Sequence, residues 1–331
     1  MADVSQSIAE RLLATAEVYP YLPALDYYGK RITYRQLQKK IKQLAMLWKN
    51  LGIEPGERVI ICMPNVPEVV MAIYSLNLIG AVTCIVHPLS TVPEMSFYIK
   101  DTQSKWLITV DMLFENFRKA VEKSDIKKTI LTSVSGELPL ILKLFYNFKQ
   151  GYKTPIYRGS YLVEWKTLTS KLPPPGEEFY HFSKEQPALI LFSGGTTGTP
   201  KGVLLSNQNM NTLADQVIAQ VDPQPGKDSM LCILPLFHGY GLGICLHSVL
   251  VGGGRCILIP RFGKKEFIDA IAKYRPTYIV GVPTHYEALV NSQKLQKERF
   301  PYLKGAFCGG DSVPPALIQR FNDFMLNHGG V

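Results

Sequence analysis

Between Ser193 and Gly202 the chain reads Ser-Gly-Gly-Thr-Thr-Gly-Thr-Pro-Lys-Gly, directly after the apolar run 188–192. Gly194, Gly195 and Gly198 let the backbone turn tightly and aim its N–H groups at a polyanion. The hydroxyls of Ser193, Thr196, Thr197 and Thr199 add donors, and Lys201 supplies a point charge. These are the parts of a phosphate cradle. They do not form a Walker loop, because Pro200 precedes the lysine and Gly202 follows it. The plainer alternative is a Gly/Thr-rich turn between two elements, although ordinary turns seldom gather three glycines, four hydroxyls and a lysine in ten residues. A second candidate is His238, set in Pro-Leu-Phe-His-Gly-Tyr-Gly from Pro235. A lone histidine is more often structural than chemical, so its weight comes from that setting. His87, His181, His247, His285 and His328 lack such a setting and are taken as ordinary residues.

The elements that would position these groups alternate strand and helix. Arg58 to Met63 predicts a buried strand, Asn65 and Glu68 have the spacing of a capping pair for a helix ending at Gly80, and 81–86 predicts the next strand. Thr91 and Glu94 cap a second helix, followed by strands over 105–110 and 128–132. Helix-length connections imply parallel pairing. Further short strands are predicted over 188–192, 230–234, 256–260 and 277–280. Between them, 133–178 is an irregular excursion ending in Pro173-Pro174-Pro175-Gly176. Within it, Leu140, Ile141, Leu144 and Phe145 lie beside Lys143, Lys149 and Lys153. Residues 138–153 are therefore either a packed surface segment or a face for peripheral membrane contact.

At 331 residues the chain exceeds what one core usually fills, which implies two α/β lobes. With 46% hydrophobic and 19% charged residues it is neither disordered nor fibrous. The net charge of +9 suits polyanionic ligands or acidic lipid, but the basic residues are dispersed and no nucleic-acid motif accompanies them, so no nucleic-acid partner is expected. No secretory leader or bilayer-length apolar run is read in it. Six cysteines without a Cys-x-x-Cys pair predict buried, reduced thiols and a cytoplasmic setting, with an optional peripheral place at the inner membrane face.

Ser193 to Gly202 resembles the signature phosphate loop of the adenylate-forming (acyl-CoA synthetase, AMP-dependent synthetase and ligase) superfamily. Ile32-Thr33-Tyr34-Arg35-Gln36-Leu37, the run from Leu51 to Val59, Met63-Pro64-Asn65-Val66-Pro67-Glu68, and Gly80-Ala81-Val82 with His87-Pro88-Leu89 follow the family's opening in order. Pro235 to Gly241 and Gly309-Gly310-Asp311-Ser312-Val313-Pro314 resemble later core motifs, so the likeness covers almost the whole chain. The wording of the phosphate loop and the long excursion are most similar to bacterial long-chain fatty acid:CoA ligases.

The resemblance implies the N-terminal domain of an adenylate-forming enzyme, with two packed αβαβα-type subdomains of mostly parallel sheet. One is expected over 72–217, including the 133–178 excursion, and the other over 10–65 plus 231–331. It implies ATP, Mg²⁺ and coenzyme A, with a fatty acid activated to acyl-AMP and passed to the thiol. Thr196, Thr197 and Lys201 would meet phosphates, Thr197 also the metal, and Gly309, Gly310, Asp311 and Ser312 the adenine pocket. His238 would meet the carboxylate, with Tyr240, Gly241, Gly281, Val282 and Thr284 along the acyl tunnel. Arg261 would meet CoA phosphates, or is simply a solvated charge after a strand. Rival readings are an aryl acid:CoA ligase, an acyl-AMP ligase loading a carrier protein, or a non-catalytic nucleotide-binding fragment. The family's metal-binding Glu motif, ribose-binding Asp and C-terminal lid domain are not found before Val331. The 331 residues alone are therefore expected to be nearly inactive, since one such contact commonly contributes about 3 kcal/mol.

Overall fold

The computed structural model describes residues 6–150, 159–176, 179–182, 186–193 and 200–330. Among these residues thirteen strands form two sheets. The strands are β1 Pro23–Tyr27, β2 Lys30–Thr33, β3 Arg58–Cys62, β4 Val82–Ile85, β5 Trp106–Val110, β6 Lys128–Thr132, β7 Leu162–Glu164, β8 Pro187–Ser193, β9 Lys201–Ser206, β10 Ser229–Cys232, β11 Arg255–Leu258, β12 Tyr278–Gly281 and β13 Gly305–Cys308.

The seven-stranded sheet has the order β7-β6-β5-β3-β4-β8-β9 and the six-stranded sheet β13-β12-β10-β11-β1-β2. All neighbours pair in parallel except β8 with β9 and β1 with β2. Parallel sheets must bury both faces, and β10 does so residue by residue. Met230 and Cys232 join the large core shared with the other sheet, while Leu231 packs with Ile257, Ile279 and Phe267 on the far side. Several predicted strands match: the Lys128–Thr132 run is β6, and the runs near 188, 230, 256 and 277 are β8, β10, β11 and β12.

Local sequence explains the helices that brace the sheets. Thr33 and Gln36 cap the helix Tyr34–Asn50 reciprocally, and its buried Leu37, Ile41, Leu44, Ala45 and Trp48 recur at helical spacing. Trp48 donates its indole N–H to Ser75 at 2.7 Å, tying this helix to Pro67–Leu78. Every residue of Pro67–Leu78 is buried, as an almost uniformly apolar sequence requires. Thr91 and Glu94 cap the helix Val92–Thr102 as their spacing predicts.

Three expectations need correction. Asn65 and Glu68 do not form a capping pair: Val66 is the N-cap without a side-chain bond and Pro67 opens the helix. Glu68 is instead buried, its carboxyl lying where a Cβ on Gly136 would approach within 2.2 Å. The excursion is not irregular throughout, because it holds the helix Leu140–Gln150 and β7, which extends the seven-stranded sheet beside β6. β3 falls within the 10–65 range assigned to the lobe of 231–331, yet it pairs with β4 and β5, since its helix connection to β4 is a short crossover within one sheet. Among the described residues no helix is long and apolar enough to cross a membrane, and all six cysteines are free, five of them buried.

Candidate active site

β8 and β9 form an antiparallel hairpin that sets Ser193 opposite Lys201, with the Ser193 hydroxyl 3.5 Å from the Lys201 carbonyl oxygen. β8 is buried over Ala188–Leu191, whereas Lys201 begins β9 at an exposed position. The hairpin therefore fixes both ends of the Gly/Thr-rich segment on one sheet edge, with Lys201 at an exposed position. Gly194, Gly195, Thr196, Thr197, Gly198 and Thr199 lie outside the described residues. Among the described residues no group of three or more His, Cys, Asp or Glu is arranged to hold a metal ion.

A cavity of about 1590 Å³ is bordered by both sheets' connecting loops. His238, Tyr240, Gly241, Val282 and Gly310 line it, so it unites residues from three separate motifs. Their common position follows from strand order: the loops after β10, β12 and β13 leave the same ends of adjacent parallel strands. Asn65, after β3, locks the first of these loops to the other sheet's helix. Its amide donates to the carbonyls of Cys232 and Leu234 at 3.1 and 2.9 Å, and its oxygen accepts from the Leu236 N–H at 3.2 Å.

The His238 ring lies 4.4 Å from that of Phe237, centre to centre, and Phe237 in turn sits 4.6 Å from His87. Partial burial holds the His238 pKa below its ordinary value, and His87 depresses it further. Burial lowers His87 too, so both rings are mainly neutral at pH 7 and act as hydrogen-bonding groups. His87 lines the same cavity, which corrects its reading as an ordinary residue. Its Nδ1 accepts from the Leu89 N–H at 3.0 Å, which leaves the proton on Nε2. A strand end followed by His-Pro was the available signal for it, and Pro64 stands in the place equivalent to Pro88 after β3.

Close approach dictates one glycine and crowds a second. A Cβ on Gly241 would stand 2.2 Å from the Pro235 carbonyl oxygen, and one on Gly309 would stand 3.1 Å from the Tyr240 ring. Gly241 opens a π-helix, Gly241–His247, a form that recurs at functional sites because the wider turn re-aims neighbouring side chains. Burial pushes the Tyr240 hydroxyl up to about 12, keeping it a neutral donor. Gly281 ends β12, where its N-terminal neighbours are buried and His285 and Tyr286 close over it.

Other predicted residues lie apart. Thr284 is exposed on the helix Pro283–Val290 and does not line the cavity. Asp311 and Ser312 are exposed, with the Ser312 N–H donating to the Asp311 carboxylate at 2.7 Å, while Gly309 lies close against Tyr240. Arg261 reaches the outer mouth of the cavity, where it pairs with Glu266 at 3.4 Å and is 82% exposed.

The sequence pattern of the family described as AMP-binding enzyme matches residues 12–329. The chain belongs to the AMP-binding enzyme family. Its relatives include a long-chain-fatty-acid–CoA ligase of Bacillus subtilis strain 168, 29% identical over 322 residues that make up 96% of this chain and 57% of the relative. A long-chain-fatty-acid–CoA ligase of Salmonella typhimurium is 28% identical, again over 96% of this chain and 58% of its own length. Among solved structures, the anthranilate CoA ligase AuaEII in complex with anthranoyl-AMP superposes with a TM-score of 0.81 at 19% identity, covering 97% of this chain and 58% of that one. A long-chain-fatty-acid-CoA ligase from Archaeoglobus fulgidus gives 0.79 at 23% identity, covering 98% and 61%. These structures share the fold, the N-terminal domain of adenylate-forming enzymes. The chain spans less than two thirds of the length of these relatives.

Proposed function

We propose that this chain is the acid- and phosphate-binding part of an ATP-dependent fatty acid:CoA ligase. In the reaction, a carboxylate oxygen of the acid bonds to the α-phosphorus of ATP while the bond to the β-phosphate oxygen breaks, releasing pyrophosphate. The thiol of coenzyme A then attacks the acyl carbonyl and displaces AMP. Little covalent chemistry is required of the protein, so positioning and charge stabilisation carry the rate. The segment from Ser193 to Lys201 would hold the phosphates, with Thr196 and Thr197 donating to oxygens and Thr197 near the magnesium that accompanies ATP. A neutral His238 would donate to the carboxylate or the α-phosphate, Asp311 and Ser312 would face adenine, and Arg261 would meet the phosphates of coenzyme A.

The observation that carries the fatty-acid reading is the size and lining of the cavity. Pockets for drug-sized ligands run to about 300–1,000 Å³, and this one is larger. Leu138, Leu142, Met112, Leu113 and Val134 line it together with His238, an apolar surface that suits a long alkyl chain. Displacement of a fluorescent fatty acid from the 331-residue chain by acids of increasing length tests this. Competition should strengthen with each added methylene by about 0.8 kcal/mol until the cavity is filled. Competition by coumarate-like acids alone would replace the fatty acid with an aryl substrate.

A further inference from the structure

The π-helix Gly241–His247 begins three residues after His238, and its first turn ties that residue down: the Leu242 N–H donates to the His238 carbonyl at 2.9 Å. A turn this wide is rare and persists only where its surroundings hold it. Side chains meet the carbonyls at its end. The Ser248 hydroxyl donates to Ile244 at 2.8 Å, and the Cys256 thiol reaches those of Cys245 and Leu246 at 3.4 and 3.7 Å.

The last residue of the π-helix, His247, is 1% exposed and bonded through both ring nitrogens. The Asn211 amide donates to the Gln6 carbonyl at 2.8 Å, which turns the Asn211 oxygen toward the imidazole. The His247 Nε2–H therefore donates to Asn211 at 3.0 Å, and Nδ1 accepts from the Tyr74 hydroxyl at 3.1 Å. Burial, with Arg11 nearby, lowers the His247 pKa to about 3, so the ring stays neutral at pH 7 and keeps this tautomer. Tyr74 belongs to the helix Pro67–Leu78, before whose start Asn65 accepts from the Leu236 N–H. The segment carrying His238 is thus gripped on both sides from one helix, at Leu236 and at His247. Asn211 adds a hold from the helix Asn207–Val221, which follows β9. An apolar side chain would fill the same volume, but two opposed hydrogen bonds also fix the direction of the helix end.

We propose that His247 is a positioning residue for the acid site, its two ring bonds holding the π-helix in register so that His238 and Gly241 face the cavity. The inference rests on the preceding reading only for the identity of the ligand, since the setting of His238 can be followed without one.

His247→Leu and His247→Gln in the 331-residue chain test this, because glutamine can donate to Asn211 and accept from Tyr74 whereas leucine can do neither. The readouts are displacement of the fluorescent fatty acid and the NMR titration of the His238 ring proton. His247→Leu should bind the fatty acid at least about tenfold more weakly, with His238 titrating nearer its ordinary 6.5. His247→Gln should restore the titration and bring binding back to within about twofold of the wild type. Tyr74→Phe, a milder change that stays informative where His247→Leu is too unstable to measure, should weaken binding about threefold. Leu289→Ala, a truncation in the other core cluster, should lower stability in urea and move neither readout. Leucine and phenylalanine variants that lose stability yet bind the fatty acid and titrate His238 like the wild type overturn the proposal, as does a loss that glutamine fails to restore. A wild type that binds no fatty acid, while the His238 titration still moves with leucine and returns with glutamine, contradicts the fatty-acid reading and leaves the positioning role standing.

Discussion

His238 and His87 present neutral imidazoles to one cavity, and Phe237 packs between them. Because His87 lowers the proton affinity of His238, His87→Asn should move the His238 titration upward toward 6.5, read from its ring proton by NMR. An unmoved titration would show that burial alone sets it. Glu68 makes a sharper prediction. Burial raises its pKa from 4.5 to about 8, and its Oε2 finds no hydrogen-bond partner among the described residues. Between those two values the folded state binds a proton that the unfolded chain has released. Stability from this group is therefore complete below pH 4.5 and declines as pH rises toward 8. Relative to Glu68→Gln, the wild type should lose up to about 1.4 kcal/mol per pH unit across that window in urea unfolding. A constant difference between the two proteins would contradict a buried protonated carboxyl. Sequence spacing assigned Glu68 to a cap because it stands three residues after Asn65, and only the packing of Gly136 over it reveals the burial.

At the scale of elements, Asn65 couples β3 to the loop that carries His238. Asn65→Ala removes a partner from the Leu234 carbonyl and the Leu236 N–H, while the Cys232 carbonyl keeps the Ile259 N–H, and each unsatisfied group costs about 1–3 kcal/mol before relaxation. A net destabilisation of about 2–4 kcal/mol in urea unfolding, with weakened acid binding, is expected. Wild-type stability would show that the loop holds itself. Strands such as β5 and β8 were legible because buried parallel strands read as nearly continuous apolar runs. β1, β2, β7 and β13 were not: Pro23 and Asp26 interrupt the apolar run of β1, β2, β7 and β13 are short, and β7 and β13 contain no fully buried residue. The π-helix was also hidden: Gly241–His247 has no periodicity that separates it from an ordinary buried helix, and only the contact with Pro235 forces the glycine.

For the whole molecule, the two sheets share one core and leave the cavity where loops from both meet. Motif order in the sequence was enough to identify the family and to bring His238, Tyr240, Val282 and Gly310 into one place. It did not exclude Thr284, because exposure on a helix depends on how Pro283–Val290 packs against its neighbours and not on the motif around it. Nor did it separate Arg261 the cofactor ligand from Arg261 the solvated charge. Both descriptions fit an exposed side chain that lines the cavity and pairs with Glu266.

The account depends on Lys201 and the hairpin holding a nucleotide's phosphates, and calorimetric titration with Mg·ATP tests this directly. Lys201 is exposed at the start of β9, so Lys201→Ala should leave thermal unfolding unchanged. The wild-type 331-residue chain should bind ATP saturably, and the variant at least about tenfold more weakly, as expected for losing a charge-assisted phosphate contact. Saturable binding of equal strength in both proteins, or no binding by the wild type, would contradict it.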